Sequence, residues 1–147
     1  MEYISHSAEE TKKFAQEFAQ KLQGGEVIAL IGNLGGGKTT FTQGLAEGLG
    51  IKQRVLSPTF VLMRSYPFKK GGKSLTLYHL DLYRLEKSKE AKALGLEEIW
   101  SDPKNVVLIE WAEKIKSLLP EKTIEIRFEY LEENERKISY NPNLSLK

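Results

Sequence analysis

Gly32-Asn33-Leu34-Gly35-Gly36-Gly37-Lys38-Thr39 satisfies every position of the phosphate-loop (Walker A) pattern G-x-x-x-x-G-K-[ST]. Chance produces such a match in a chain of 147 residues with odds of roughly 0.5%, from average residue usage. The chemistry accounts for the spacing. Gly32, Gly35, Gly36 and Gly37 let the backbone fold so that successive N–H groups point at phosphate oxygens. A helix starting at Lys38 adds the partial positive charge of its N-terminus. The Lys38 ammonium reaches the β- and γ-phosphates, and the Thr39 hydroxyl is placed to ligate Mg²⁺. The expected ligands are therefore a nucleotide, ATP or ADP, together with Mg²⁺.

The neighbouring segments suit that loop. Glu26–Ile31 reads as a short buried strand and Lys38–Leu49 as a helix with Phe41, Leu45 and Leu49 on one face. Upstream, Ser7-Ala8-Glu9-Glu10 has capping-box spacing. Phe14, Phe18 and Leu22 then mark an amphipathic helix over about residues 8–23, stopped by Gly24-Gly25. Downstream, Phe60–Phe68 and Ser74–Leu80 read as strands of an antiparallel hairpin turning at Lys69–Lys73. Residues 86–100 have a helical pattern broken near Gly95. Val106–Ile109 is a buried strand, and Ala112–Leu119 a short helix ended by Pro120. Ile124, Ile126, Phe128 and Tyr130 alternate with polar residues as in a strand with one wet face, and a turn at Glu132–Glu135 leads to a last strand near Arg136–Tyr140. The expected fold is α/β: a P-loop NTPase fold with a mixed, mostly parallel sheet flanked by helices and carrying antiparallel hairpins, as a single domain over residues 1–147.

Composition narrows the function. A net charge of +2 points to no strong field for nucleic acid or an anionic membrane. The absence of cysteine excludes disulfides, thiol catalysis and zinc–thiolate sites. Neither a signal peptide nor a membrane-length apolar run is visible, so a soluble, cytoplasmic protein is expected.

A phosphate loop works with a carboxylate at the end of a nearby strand. Asp81 ends the run Leu75–Leu80, and Glu110 ends Val106–Ile109. Both have the form of a hydrophobic run followed by an acid, and the sequence does not rank them: one can hold the metal while the other orients the attacking water. His79 reads as structural before it reads as catalytic. Tyr83 and Trp111, beside the acids, fit packing and a partner surface equally. Thr59, in Ser57-Pro58-Thr59, fits both a turn and a loop sensing the γ-phosphate. The chain contains no Asn-Lys-x-Asp guanine motif, which favours ATP over GTP.

Four segments in order, Gly32–Phe41, Ser57–Phe60, His79–Leu85 and Leu108–Trp111, resemble the bacterial TsaE (YjeE) family, an ATPase required for threonylcarbamoyladenosine modification of tRNA. The likeness spans roughly residues 8–140. It implies that Lys38, Thr39 and Thr40 serve the phosphates and Mg²⁺. Asp81 and Glu110 become the acidic pair around the metal and the hydrolytic water, and Ser57-Pro58-Thr59 a switch-like loop. Thr11 and Arg136 are implied near the nucleotide. The second loop position, commonly acidic in that family, is Asn33 here, an amide without the charge. Gly36 stands where alanine is common, which loosens the loop. The resemblance further implies a partner, the TsaB–TsaD threonylcarbamoyl transferase pair, with tRNA reached through that complex.

Three functions follow as competing expectations. The first is a slow Mg²⁺-dependent ATPase acting as a switch on the tRNA-modifying complex and stimulated by partners. The second is a small-molecule kinase, which the short length and the lack of an arginine-rich lid disfavour. The third is a nucleotide-binding protein without turnover.

Overall fold

The computed structural model describes residues 1–32, 37–53, 63–83 and 95–141. Seven strands form one sheet: β1 (Glu2–Ser5), β2 (Val27–Gly32), β3 (Met63–Lys70), β4 (Lys73–Asp81), β5 (Asn105–Glu110), β6 (Ile124–Glu132) and β7 (Glu135–Tyr140). Their spatial order is β1-β7-β6-β2-β5-β4-β3. The central strands β6, β2, β5 and β4 are parallel. The pairs β3–β4, β6–β7 and β1–β7 are antiparallel. Strand β1 consequently points the same way as the parallel centre.

Helices α1 (Ala8–Gln20) and α2 (Lys38–Gly48) cover one face, and α3 (Leu96–Ser101) with a 3-10 segment, Ala112–Leu118, covers the other. Strand β2 shows why its sequence is apolar without alternation. Ile28 and Leu30 join the core under α1 and α2, while Val27 and Ala29 join the opposite core. Strand β5 divides in the same way, with Val106 and Leu108 on one side and Val107 and Ile109 on the other. Among the described residues no helix is long and apolar enough to cross a membrane.

Several expectations need adjusting. Strand β1 was not legible, because its pairing partner β7 lies at the far end of the chain. The segment after Trp111 is 3-10 rather than α-helical, with non-helical dihedrals at Ile115. The alternation along β6 ends early: Phe128 is buried, but Tyr130 is 59% exposed, so the strand runs out beyond its helical cover. The predicted strand Phe60–Phe68 is seen from Met63 onward as β3; its residues 60–62 lie outside the described residues. The part of the 86–100 helix before Gly95 lies outside the described residues.

Helix α1 begins as its sequence suggests: the Ser7 side chain accepts from the Glu10 N–H at 3.1 Å. Its last turn carries no basic residue. The hairpin supplies one instead. Lys70 at the end of β3 donates to the carbonyls of Gln20 (2.7 Å), Ala19 (3.3 Å) and Leu22. Lys70→Met should lower stability by about 1–2 kcal/mol, the range for a cation at a partly buried helix C-terminus. Lys69→Met, on the neighbouring exposed position, should be nearly neutral in the same urea melts.

Candidate nucleotide-binding site

The topology gathers five chain segments at one edge of the sheet. Parallel β2, β5 and β4 end there at Gly32, Glu110 and Asp81, and the Cα register sets Glu110 opposite both Leu30 and Asp81. The β6–β7 turn and the β1–α1 junction reach the same edge. This is the carboxyl edge of a parallel sheet, where open α/β folds bind ligands.

A cavity of about 350 Å³ opens there, within the range of small-ligand sites. Its floor is the start of α2: Gly37, Lys38, Thr39 and Thr40. Gly37 occupies the cap position with φ 100° and no side-chain cap. The first helical bond is that from the Phe41 N–H to the Gly37 carbonyl, 2.9 Å. The preceding N–H groups are those a helix cannot satisfy internally, and the residues that carry them line the cavity. Gly32 is required on steric grounds: at φ 145° a Cβ would lie 2.4 Å from the Phe128 carbonyl oxygen of β6.

Lys38 is buried, 5% exposed. Its Nζ donates to the Gly32 carbonyl at 2.8 Å and lies 4.4 Å from the centre of the Trp111 ring. Trp111 sits at φ 61°, a conformation that bulky residues rarely adopt. Its ring packs on Tyr83 at 5.1 Å between centroids, and Tyr83 is exposed. Thr39 is exposed at the cavity mouth, while Thr40 is half-buried.

The acids differ in their surroundings. Asp81 is half-buried, and its Oδ1 accepts from the Tyr83 N–H at 3.0 Å. Glu110 is 6% exposed, and its Oε2 is 2.7 Å from His79 Nε2. The far wall is made by Ser7, Ala8 and Thr11 from the start of α1, and by Asn134 and Arg136 around the β6–β7 turn. Thr11 is buried, with its hydroxyl 2.6 Å from that of Ser5. Arg136 stacks on the Tyr130 ring at 4.5 Å and donates to the Glu135 carbonyl at 3.0 Å.

The oxygen donors suit Mg²⁺. Among the described residues no three His, Asp or Glu converge as a self-sufficient metal cage. Mg²⁺ sites in nucleotide-binding proteins commonly use one or two carboxylates together with substrate phosphates, and Asp81, Glu110 and Thr39 line this cavity. The buried Lys38 ammonium rests on a carbonyl and an aromatic face and faces the cavity without a carboxylate partner among the described residues.

Of the residues singled out from the sequence, Thr11, Gly37, Lys38, Thr39, Thr40, Asp81, Glu110 and Arg136 line this one cavity, and Gly32 holds the loop entrance. Gly35, Gly36 and Thr59, with Asn33, Ser57 and Pro58, lie outside the described residues. Ser7, Ala8 and Asn134 were missed as site residues. Asn134, at φ 70°, carries a turn signal but nothing that marks it as a cavity wall. Trp111, for which the sequence allows packing and a partner surface equally, lines the cavity with its ring against Lys38.

The model of the family described as "Threonylcarbamoyl adenosine biosynthesis protein TsaE" matches residues 5–138. The tRNA threonylcarbamoyladenosine biosynthesis protein TsaE of Bacillus subtilis is 42% identical over 132 residues, covering 90% of this chain and 79% of that protein. The protein of the same description from Treponema pallidum is 38% identical over 139 residues, covering 95% and 98%. The crystal structure of Bacillus subtilis YdiB superposes with a TM-score of 0.77 at 36% identity, covering 95% of this chain and 83% of that one.

Proposed function

The chain belongs to the TsaE family of tRNA threonylcarbamoyladenosine biosynthesis, and from that premise we propose that it binds ATP with Mg²⁺ in this cavity, hydrolyses it slowly, and acts as a nucleotide-dependent switch on the TsaB–TsaD threonylcarbamoyl transferase complex. The observation that carries the reading is the meeting, in one cavity, of an uncapped helix N-terminus, a buried lysine ammonium and two strand-end carboxylates.

Lys38 exchanges its Gly32 carbonyl for the β- and γ-phosphate oxygens, where its charge stabilises the transferring phosphoryl group. The N–H groups of the first turn of α2 bind the phosphates. Thr39, Asp81 and Glu110 would hold Mg²⁺, which would supply positive charge to offset that of the phosphates. Glu110 also orients the attacking water. Thr11 and Arg136, on the opposite wall, hold the nucleoside end.

Phosphate release from ATP and Mg²⁺, without any added acceptor, tests hydrolysis directly. Phosphorylation of a small molecule without free phosphate would instead identify a kinase. Pull-down of the TsaB–TsaD pair with ATP, weakened with ADP, tests the switch; equal recovery in all nucleotide states overturns it. Glu110→Gln should leave ATP affinity within about threefold and lower turnover by about 100-fold or more, the range for losing a positioned general base. Normal turnover by that variant would remove Glu110 from the chemistry.

A further inference from the structure

His79 and Glu110 form a buried pair at the base of the cavity, with side chains 2% and 7% exposed. Strand alternation puts His79 on the same face as Asp81, one pleat further from the edge, about 6.6 Å along the strand. It does not line the cavity. Its other ring nitrogen, Nδ1, is buried and has no hydrogen-bond partner among the described residues. An imidazole carries its proton on the nitrogen that finds an acceptor, because a buried N–H without one is costly. Here the acceptor is the Glu110 carboxylate.

We propose that His79 is a positioning residue for Glu110: its Nε2–H, with Nδ1 unprotonated, pins one carboxylate oxygen and leaves the other aimed into the cavity. A glutamate has three side-chain torsions, and the Glu110 carboxylate borders an open cavity although the residue is largely buried. Fixing one oxygen restricts those torsions before nucleotide arrives. The carboxylate is thereby oriented in the way that outer partners orient metal ligands and bases. The inference rests on the ATPase reading of Glu110.

Two measurements test it. The chain has two histidines, so nitrogen-detected NMR of the imidazoles is easily assigned. The expected spectrum for His79 has a protonated Nε2 and a bare Nδ1, in nucleotide-free protein and without any turnover; the opposite tautomer overturns the proposal. The second measurement compares His79→Gln with His79→Asn. A glutamine amide nitrogen sits where Nε2 was, and an asparagine nitrogen sits where Nδ1 was. Gln should keep kcat within about threefold, while Asn should lose about 10–100-fold in kcat with ATP Kd and KM nearly unchanged. Equal losses in both variants, tracking a common fall in melting temperature, would make His79 merely structural and overturn the proposal, as would full activity in both. Glu110→Gln separates the two levels: if it turns over normally, the role of Glu110 fails and this inference with it. If it is impaired while His79→Asn is not, only the positioning role fails.

Discussion

Lys38→Met should leave the protein folded and unable to hold ATP. The ammonium is buried against a carbonyl oxygen and an indole face, neither of which carries the full negative charge that would repay its desolvation. Methionine has similar length and no charge to desolvate, so the melting temperature of the nucleotide-free protein should hold or rise. Binding should move the other way. A lysine facing two phosphate oxygens in a confined cavity contributes about 3 kcal/mol or more through charge-assisted hydrogen bonds, which is at least about 100-fold in Kd. Calorimetry with Mg²⁺-ATP, beside a thermal melt of the same sample, separates the two effects. A variant that unfolds would make Lys38 a structural pin. A variant that binds within about tenfold of the parent would mean that the phosphates lie elsewhere.

This prediction draws on residues visible in the sequence, because the phosphate loop is a local device. Strand, glycines, lysine and helix follow one another within about twenty residues, and each segment advertises its own period. Asp81 and Glu110 were legible for a similar reason, each closing an apolar run. The sequence could not rank them, because the distinction lies in partners from other strands: a backbone N–H for Asp81 and His79 for Glu110. The far wall was hidden more deeply. Strand β1 is four residues long, and only pairing with β7 fixes it. The family resemblance implies Thr11 and Arg136 near the nucleotide, but local pattern cannot: only β1 brings the start of α1, with Ser7 and Thr11, to the same sheet edge as Gly32. Arg136 and Asn134 arrive there only because the β6–β7 hairpin extends past the helical cover, a length set by tertiary pairing rather than by local pattern.

Gly44→Ala should destabilise the protein even though alanine is the better helix former. In an exposed helix the exchange gains about 1 kcal/mol. Here Gly44 and Gly48 of α2 lie one turn apart against α1. A Cβ on Gly44 would sit 2.5 Å from the Lys12 carbonyl oxygen and 2.9 Å from the Ala15 Cβ, and one on Gly48 would sit 2.7 Å from the Ala19 Cβ. The obstacles are backbone and Cβ atoms, which no rotamer change can clear, so α1 itself must shift. The strain should exceed the propensity gain and leave a net loss of about 2 kcal/mol, about 6 °C in melting temperature for a chain of this size. The double variant Gly44→Ala with Gly48→Ala should lose more than either alone. The Lys12–Glu47 ion pair at the rim, 2.9 Å, is too exposed to offset this. Nucleotide affinity should fall as well, although neither glycine lines the cavity. Thr11 rides on α1, and its Cγ2 lies close over Gly37, 3.7 Å from where a Cβ would be. Moving α1 outward therefore draws the far wall away from the phosphate cradle. An unchanged Kd in a clearly destabilised Gly44→Ala protein would show that α1 does not set the width of the site.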